Sequence, residues 1–119
     1  MARTVVIVDD HDGFRAQVTH MLQAAGYEVV GSCADGRSAL VAISTLGPDV
    51  VLLDVQLPDT DGFRLITELD TGLGRPTIVL ISSREAADYG TRVGHSGAAG
   101  FITKGELSAQ SLADVVGRR

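Results

Sequence analysis

Three carboxylates, one hydroxyl and a lone lysine stand out for where they fall in the chain. Asp9-Asp10 follows the apolar run Thr4–Val8, Asp54 closes Val50–Leu53, Ser82 follows Thr77–Ile81, and Lys104 follows Ala99–Thr103. If these runs are parallel strands of one sheet, their C-terminal ends share a rim, and open α/β sheets hold ligands in the crevice there. Acids gathered at roughly 4 Å repel by about 4 kcal/mol per pair at an effective dielectric near 20. They must then share protons or bind a cation. An all-oxygen donor set with room for water suits Mg²⁺ better than zinc or a soft metal. Lys104 is the only lysine beside nine arginines, which suggests a place for a compact ammonium where a planar guanidinium would not fit. A cation, an ammonium and a hydroxyl around a carboxylate suit a phosphoryl group, whose transfer asks for positioning and charge stabilisation. A carboxylate can itself be the nucleophile. The plainer readings are a strand-ending Asp that opens a turn and a lysine that is single by chance. Of the histidines, His11 lies near the rim, whereas His20 and His95 fall on helical segments. All three are assigned surface or local hydrogen-bonding roles.

The elements that must position these groups follow from periodicity. Val50–Leu53 is unbroken and apolar, as a strand buried on both faces requires. Tyr27–Cys33 is more mixed and is placed nearer an edge. Helical spacing joins Phe14, Val18, Met21, Leu22 and Ala25 up to Gly26, and again Ala39, Leu40, Ile43 and Leu46 between Asp35-Gly36 and Gly47-Pro48,. Leu57–Gly62 is turn chemistry. A short helix through Leu65, Ile66 and Leu69 is expected to break at Gly72 and Gly74. Residues 84–96 form a weak helix at best, because Gly90 and Gly94 each cost about 1 kcal/mol against Ala. A closing helix carries Leu107, Leu112, Val115 and Val116. Strand–helix alternation of this kind implies a parallel sheet covered on both faces.

The 119 residues fit one domain with a core of its own,. At 45% hydrophobic and 4% aromatic, that core must be mostly Val, Leu, Ile and Ala. A formal net charge of −5 repels phosphate backbones and argues against direct nucleic-acid binding,. The one cysteine, Cys33, has no internal partner, which fits a reducing compartment,. With no run long enough for a bilayer and no signal-peptide pattern, the expectation is a soluble, cytoplasmic protein without membrane contact.

The Asp9-Asp10 pair, Asp54 within D-x-x-x-P-x-x-D-G (Asp54, Pro58, Asp61, Gly62), Ser82, and Lys104 three residues after Phe101 together resemble the receiver domain of bacterial two-component response regulators. The resemblance covers essentially all of residues 1–119. It implies a flavodoxin-like, doubly wound α/β fold with five parallel strands in the order 2-1-3-4-5 and helices on both faces. It further implies that Asp54 takes a phosphoryl group from the phosphohistidine of a sensor histidine kinase. Asp10, Asp54 and the backbone carbonyl of Gln56 would touch Mg²⁺, with Asp9 acting through water. Ser82 and Lys104 would hold the phosphoryl oxygens, and Phe101 would swing inward as Ser82 moves; plain core packing is the alternative for Phe101. On this resemblance the protein is no enzyme beyond its own phosphorylation and dephosphorylation. Asp9-Asp10-His11, Val29-Val30-Gly31 and Lys104–Leu107 are similar to the NarL/LuxR-type subfamily, whose helix-turn-helix DNA-binding output domain controls transcription. No such domain is expected within these residues, and a homodimer is left open.

Two departures bear on kinetics. Gly105 stands where the family often has a cis proline, so a trans link is expected, a non-proline cis bond costing about 3 kcal/mol. Ser83 stands where a smaller Ala is common. Three other readings compete. An aspartyl phosphatase would want an acid two residues after its nucleophile, where Gln56 cannot exchange protons. A flavin module would need a phosphate-binding loop where Asp9–Asp12 would repel. A phosphorylation-independent adaptor of the same fold survives only if Asp54 does not label.

Overall fold

The computed structural model describes residues 2–69 and 75–117. Strands and helices alternate along the chain: β1 (Thr4–Val8), α1 (Asp12–Ala24), β2 (Glu28–Cys33), α2 (Gly36–Leu46), β3 (Val50–Asp54), α3 (Gly62–Leu69), β4 (Thr77–Ser82), α4 (Arg92–His95), β5 (Gly100–Thr103) and α5 (Ala109–Val116). The sheet is parallel throughout, in the order β2-β1-β3-β4-β5. This is the expected doubly wound fold, with the mixed strand β2 at an edge.

The two-residue period of a strand divides its apolar side chains between two cores. Val6, Val8, Val51, Leu53, Ile78 and Leu80 face α2 and α3. Val5, Ile7, Val50, Leu52, Val79 and Ile81 face α1 and α5. Because β1 and β3 are covered on both sides, their apolar residues are all fully buried. Each contributes about 1.5–3 kcal/mol, so the strands that carry the acids are also the best anchored.

Helix ends follow local chemistry. The Asp35 side chain accepts from the Ser38 amide at 2.8 Å to start α2, and Gly47 ends it at φ 55°, a left-handed conformation that glycine adopts without strain,. The start of α5 differs from expectation. A 3₁₀ turn spans Lys104–Glu106, Leu107 is extended, and Ser108 caps a helix that begins at Ala109. Leu107 therefore lies outside the helix, although it still packs on the α1/α5 core. The Ser108 hydroxyl accepts from the Ser111 amide at 3.1 Å and fixes that later start,.

The weak segment is a 3₁₀ turn, Ala86–Tyr89, and the four-residue α4, neither with a buried residue. The expected break of α3 at Gly72 and Gly74 lies outside the described residues. The Lys104–Gly105 peptide is trans, as expected.

Candidate functional site

Strand register brings the acids together. Val8 pairs with Leu53, so the residues that follow them, Asp9 and Asp54, leave adjacent strands side by side. Asp54 pairs with Ile81, and Ser82 with Thr103, one residue before Lys104. Among the described residues, the buried polar side chains are Asp9, Asp54 and Ser82. Isolated charges are not buried without partners, and here the partner is one ammonium. Lys104 Nζ donates to Asp54 Oδ2 at 3.1 Å and lies 2.5 Å from Asp9 Oδ2.

That second contact is close but off the hydrogen-bonding direction, which leaves Asp9 Oδ2 without a hydrogen-bond partner. The carboxylate of Asp9 thus meets the ammonium as a charge and keeps acceptor capacity to spare. Its other oxygen accepts from the His11 amide at 2.8 Å. Asp54 Oδ1 accepts from the Gln56 amide at 3.1 Å. The side chains of Asp10 and His11 are more exposed, at 39% and 69%, with His11 Nδ1 3.1 Å from a carboxylate oxygen of both Asp9 and Asp10. One donor atom from each of Asp9, Asp10, His11 and Asp54 lies within 4.8 Å of the others. The Gln56 side chain is exposed and joins the site through its backbone.

Burial acts on all three central charges, with different outcomes. It pushes Asp54 up to about 6, a shift that the Gln56 amide and Lys104 only partly oppose,. It also pushes Asp9 up, but the adjacent Lys104 ammonium and the hydrogen bond from the His11 amide outweigh it and hold that group below the ordinary carboxylate range. For Lys104, burial favours the neutral amine, and the two carboxylates overcome it, so the ammonium is held above its usual range. Asp9–Lys104 is the settled ion pair, and Asp54 is the carboxylate left in surplus.

The backbone around Asp54 is shaped by Gly62. Its amide donates to the Val55 carbonyl at 2.7 Å, and a Cβ there would sit 2.9 Å from the Asp54 carbonyl oxygen and 3.1 Å from Val55 Cα. The Asp-Gly turn is thus a close approach of α3 beneath the strand that ends in Asp54.

Ser82 is brought to the same rim, but its hydroxyl is engaged elsewhere. Oγ accepts from the Arg84 amide at 3.1 Å and pairs with Tyr89 Oη at 2.7 Å. Phe101 is half-buried and offers no polar group, and its ring meets Tyr89 at 5.9 Å between centroids. Tyr89 was not legible as a site residue, nor were Phe14 and Arg15. Phe14 lies on the apolar stripe of α1, yet its ring sits 4.7 Å beneath Lys104 Nζ, a cation–π contact that steadies the ammonium. Arg15 reaches the Asp9 carbonyl at 2.5 Å. A phenylalanine and an arginine one and two residues after Asp12-Gly13 were the available signal, since the first turn of α1 starts at the rim. His20 and His95 are exposed on α1 and α4, away from the acids.

A doubly wound α/β domain that carries a buried carboxylate–ammonium cluster at the C-terminal ends of β1, β3 and β5 is the class these features define. Residues 5–116 match the response regulator receiver domain family, and the chain belongs to it. It is 37% identical to the response regulator GacA of Pseudomonas viridiflava over 109 residues, 91% of this chain and 51% of that protein. It is 30% identical to the DNA-binding transcriptional activator EvgA of Escherichia coli over 101 residues, 85% and 50% of the two chains. The chain therefore spans about half the length of the curated relatives it matches. Among solved structures, the signal receiver domain of the putative response regulator NarL from Mycobacterium tuberculosis superposes with a TM-score of 0.85 at 30% identity, over 99% of this chain and 98% of that one. The expected NarL-type kinship is met by this last similarity. Among the described residues, no helix is long and apolar enough to cross a membrane.

Proposed function

We propose that this receiver domain is a phosphorylation-dependent signalling switch whose acceptor is Asp54. The observation that carries the reading is the charge imbalance at the rim. Two buried carboxylates, Asp9 and Asp54, share one ammonium with the exposed Asp10 beside them, and Asp54 is the one whose charge burial opposes. A divalent cation would offset that surplus and let a phosphoryl group approach Asp54.

The donor set fits Mg²⁺. Three of the four clustered donors are hard carboxylate oxygens, the fourth being His11 Nδ1, and Asp9 Oδ2 accepts no hydrogen bond; a hard cation that keeps several of its waters needs few protein ligands. Asp10, Asp54 and the Gln56 carbonyl would hold it directly and Asp9 through water. When bound, it would neutralise charge on the phosphoryl oxygens. The chain's own residues do the rest. A carboxylate oxygen of Asp54 forms a bond to phosphorus as the bond to the donor nitrogen of a kinase phosphohistidine breaks, and the imidazole departs with the electron pair. Lys104 stabilises the equatorial oxygens, and the Ser82 hydroxyl donates to one of them. Gln56 stands where a phosphatase would need an exchangeable proton, which favours a lasting phosphoaspartate over turnover of outside substrates.

The partners of this cytoplasmic domain follow from the same reading: a sensor histidine kinase as donor and, as the name of EvgA suggests, a DNA-binding output that controls transcription. Residues 1–119 act as the receiver unit, with a homodimer of receivers as one way to read out its state. Intact mass after treatment with acetyl phosphate and Mg²⁺ tests this. One phosphoryl adduct is expected on the wild type and none on Asp54→Asn. An unlabelled wild type would favour the phosphorylation-independent adaptor, and an adduct retained by Asp54→Asn would move the acceptor elsewhere.

A further inference from the structure

A hydroxyl has one proton to donate and two lone pairs to accept with. The Ser82 hydroxyl is buried, 1% exposed as a residue, and it already holds the Arg84 amide at 3.1 Å and Tyr89 Oη at 2.7 Å. Serving a phosphoryl oxygen on Asp54 requires its proton to point toward β3. The Tyr89 hydroxyl competes for that same oxygen and proton.

Tyr89 is well placed to hold Ser82 and poorly placed to stay once released. Its ring lies edge-on to Phe63 at 5.5 Å and tilted against Phe101 at 5.9 Å. It ends a 3₁₀ turn with no buried residue, and Gly90 follows at φ 60°, ψ −131°, a conformation open to glycine and strained for other residues,. Beyond it lies the four-residue α4, tied back by exposed contacts of Arg92 to the Phe63 ring at 4.3 Å and to Asp61 at 3.9 Å. Phe101 has no hydroxyl, so the polar route from Ser82 into this segment runs through Tyr89.

We propose that Tyr89 is a positioning residue that latches Ser82 in the unphosphorylated domain and is released on phosphorylation. The proposal rests on Asp54 being the phosphoacceptor. When the phosphoryl group takes the Ser82 proton as a hydrogen bond, Tyr89 Oη loses its partner inside the protein. A half-buried phenol without a partner is unfavourable. It turns out to water with Gly90 as the pivot, and the turn and α4 move with it.

Tyr89→Phe keeps the ring between Phe63 and Phe101 and removes only the hydroxyl. Labelling of Asp54 by acetyl phosphate and Mg²⁺ is expected to quicken about fivefold in this variant, the ratio that corresponds to a hydrogen bond of about 1 kcal/mol. In a Ser82→Ala background the same substitution is expected to change nothing, since no hydroxyl remains to be freed. A rate equal to wild type, or the same rise in both backgrounds, overturns the latch. A second measurement follows the movement itself. The chain has two tyrosines and no tryptophan, so Tyr27→Phe leaves Tyr89 as the only source of tyrosine emission. Adding beryllofluoride, a phosphoryl mimic, with Mg²⁺ is expected to make that emission more accessible to acrylamide. The fluorine resonance of bound beryllofluoride reports occupancy separately. Occupancy with unchanged quenching overturns the latch alone, whereas failure of the wild type both to bind the mimic and to label overturns the phosphoacceptor reading with it.

Discussion

Asp9 and Asp54 face the same ammonium, yet they bring opposite pH dependences to the stability of the fold. Asp54 has a folded value of about 6 against an ordinary 3.8. Between those two values the folded state binds the extra proton, so stability falls as pH rises through the window. Asp9 is held low, so its contribution is present above its ordinary value and lost as pH falls through its folded value. Asp54→Asn keeps the shape and an acceptor for Lys104 while removing the surplus charge. Without divalent cations at pH 7.5, that variant is expected to be more stable than wild type by about 1–3 kcal/mol, at most the worth of the whole shift. The gain should vanish near pH 4. Asp9→Asn should instead lower stability at neutral pH, because it breaks the settled ion pair. Thermal melts of the three proteins across pH check this, and a wild type at least as stable as Asp54→Asn at pH 7.5 would contradict the account of Asp54.

Glycines of different surroundings separate the elements that hold the site still from those that move. At Gly62 a methyl would meet the Asp54 carbonyl, Val55 and Leu80 within about 3 Å, and overpacking of this kind costs about 1–3 kcal/mol. Gly62→Ala is expected to lower the urea midpoint and to slow Asp54 labelling together, because the clash is with the backbone that aims Asp54. At Gly94, in α4, nothing lies within 4 Å, and Gly94→Ala is expected to stabilise that turn by up to about 1 kcal/mol. A neutral Gly62→Ala would show that α3 can retreat without disturbing the strand. These elements differ in how well they could be read from sequence. The strands β1, β3 and β4 announce themselves as unbroken apolar runs, and parallel pairing then puts Asp9, Asp54, Ser82 and Lys104 on one rim by topology alone. The partner of Ser82 could not be read in this way. Tyr89 reaches it from a 3₁₀ turn seven residues on, and no periodicity encodes which way such a turn aims a side chain. The start of α5 departs from the hydrophobic pattern for a related reason: the spacing includes Leu107, but the Ser108 cap decides.

At the scale of the molecule, a rigid sheet with two cores carries one loosely held edge. The central strands are fully buried, whereas the stretch from Arg84 to Gly97 has exposed turns, a short helix and Gly90 and Gly97 at positive φ. Local opening is drawn from the least buried part of a structure. Driving a two-state element from 1:99 to 99:1 takes about 5.5 kcal/mol, and hydrogen bonds to a charged group supply about 1.5–3 kcal/mol each. Two such bonds, from Ser82 and Lys104 to a phosphoryl group, just reach that figure, so the responding part must be small and cheap to move. Native-state hydrogen exchange is therefore expected to show two regimes. Amides of β1, β3 and β4 should exchange only through global unfolding, with or without beryllofluoride and Mg²⁺. Amides from Arg84 to Gly97 should exchange far faster and be the ones whose protection and spectra change with the mimic. A response spread evenly over the sheet would mean that the energy available at the rim is being asked to move more than it can, and that the site works by some route other than this edge.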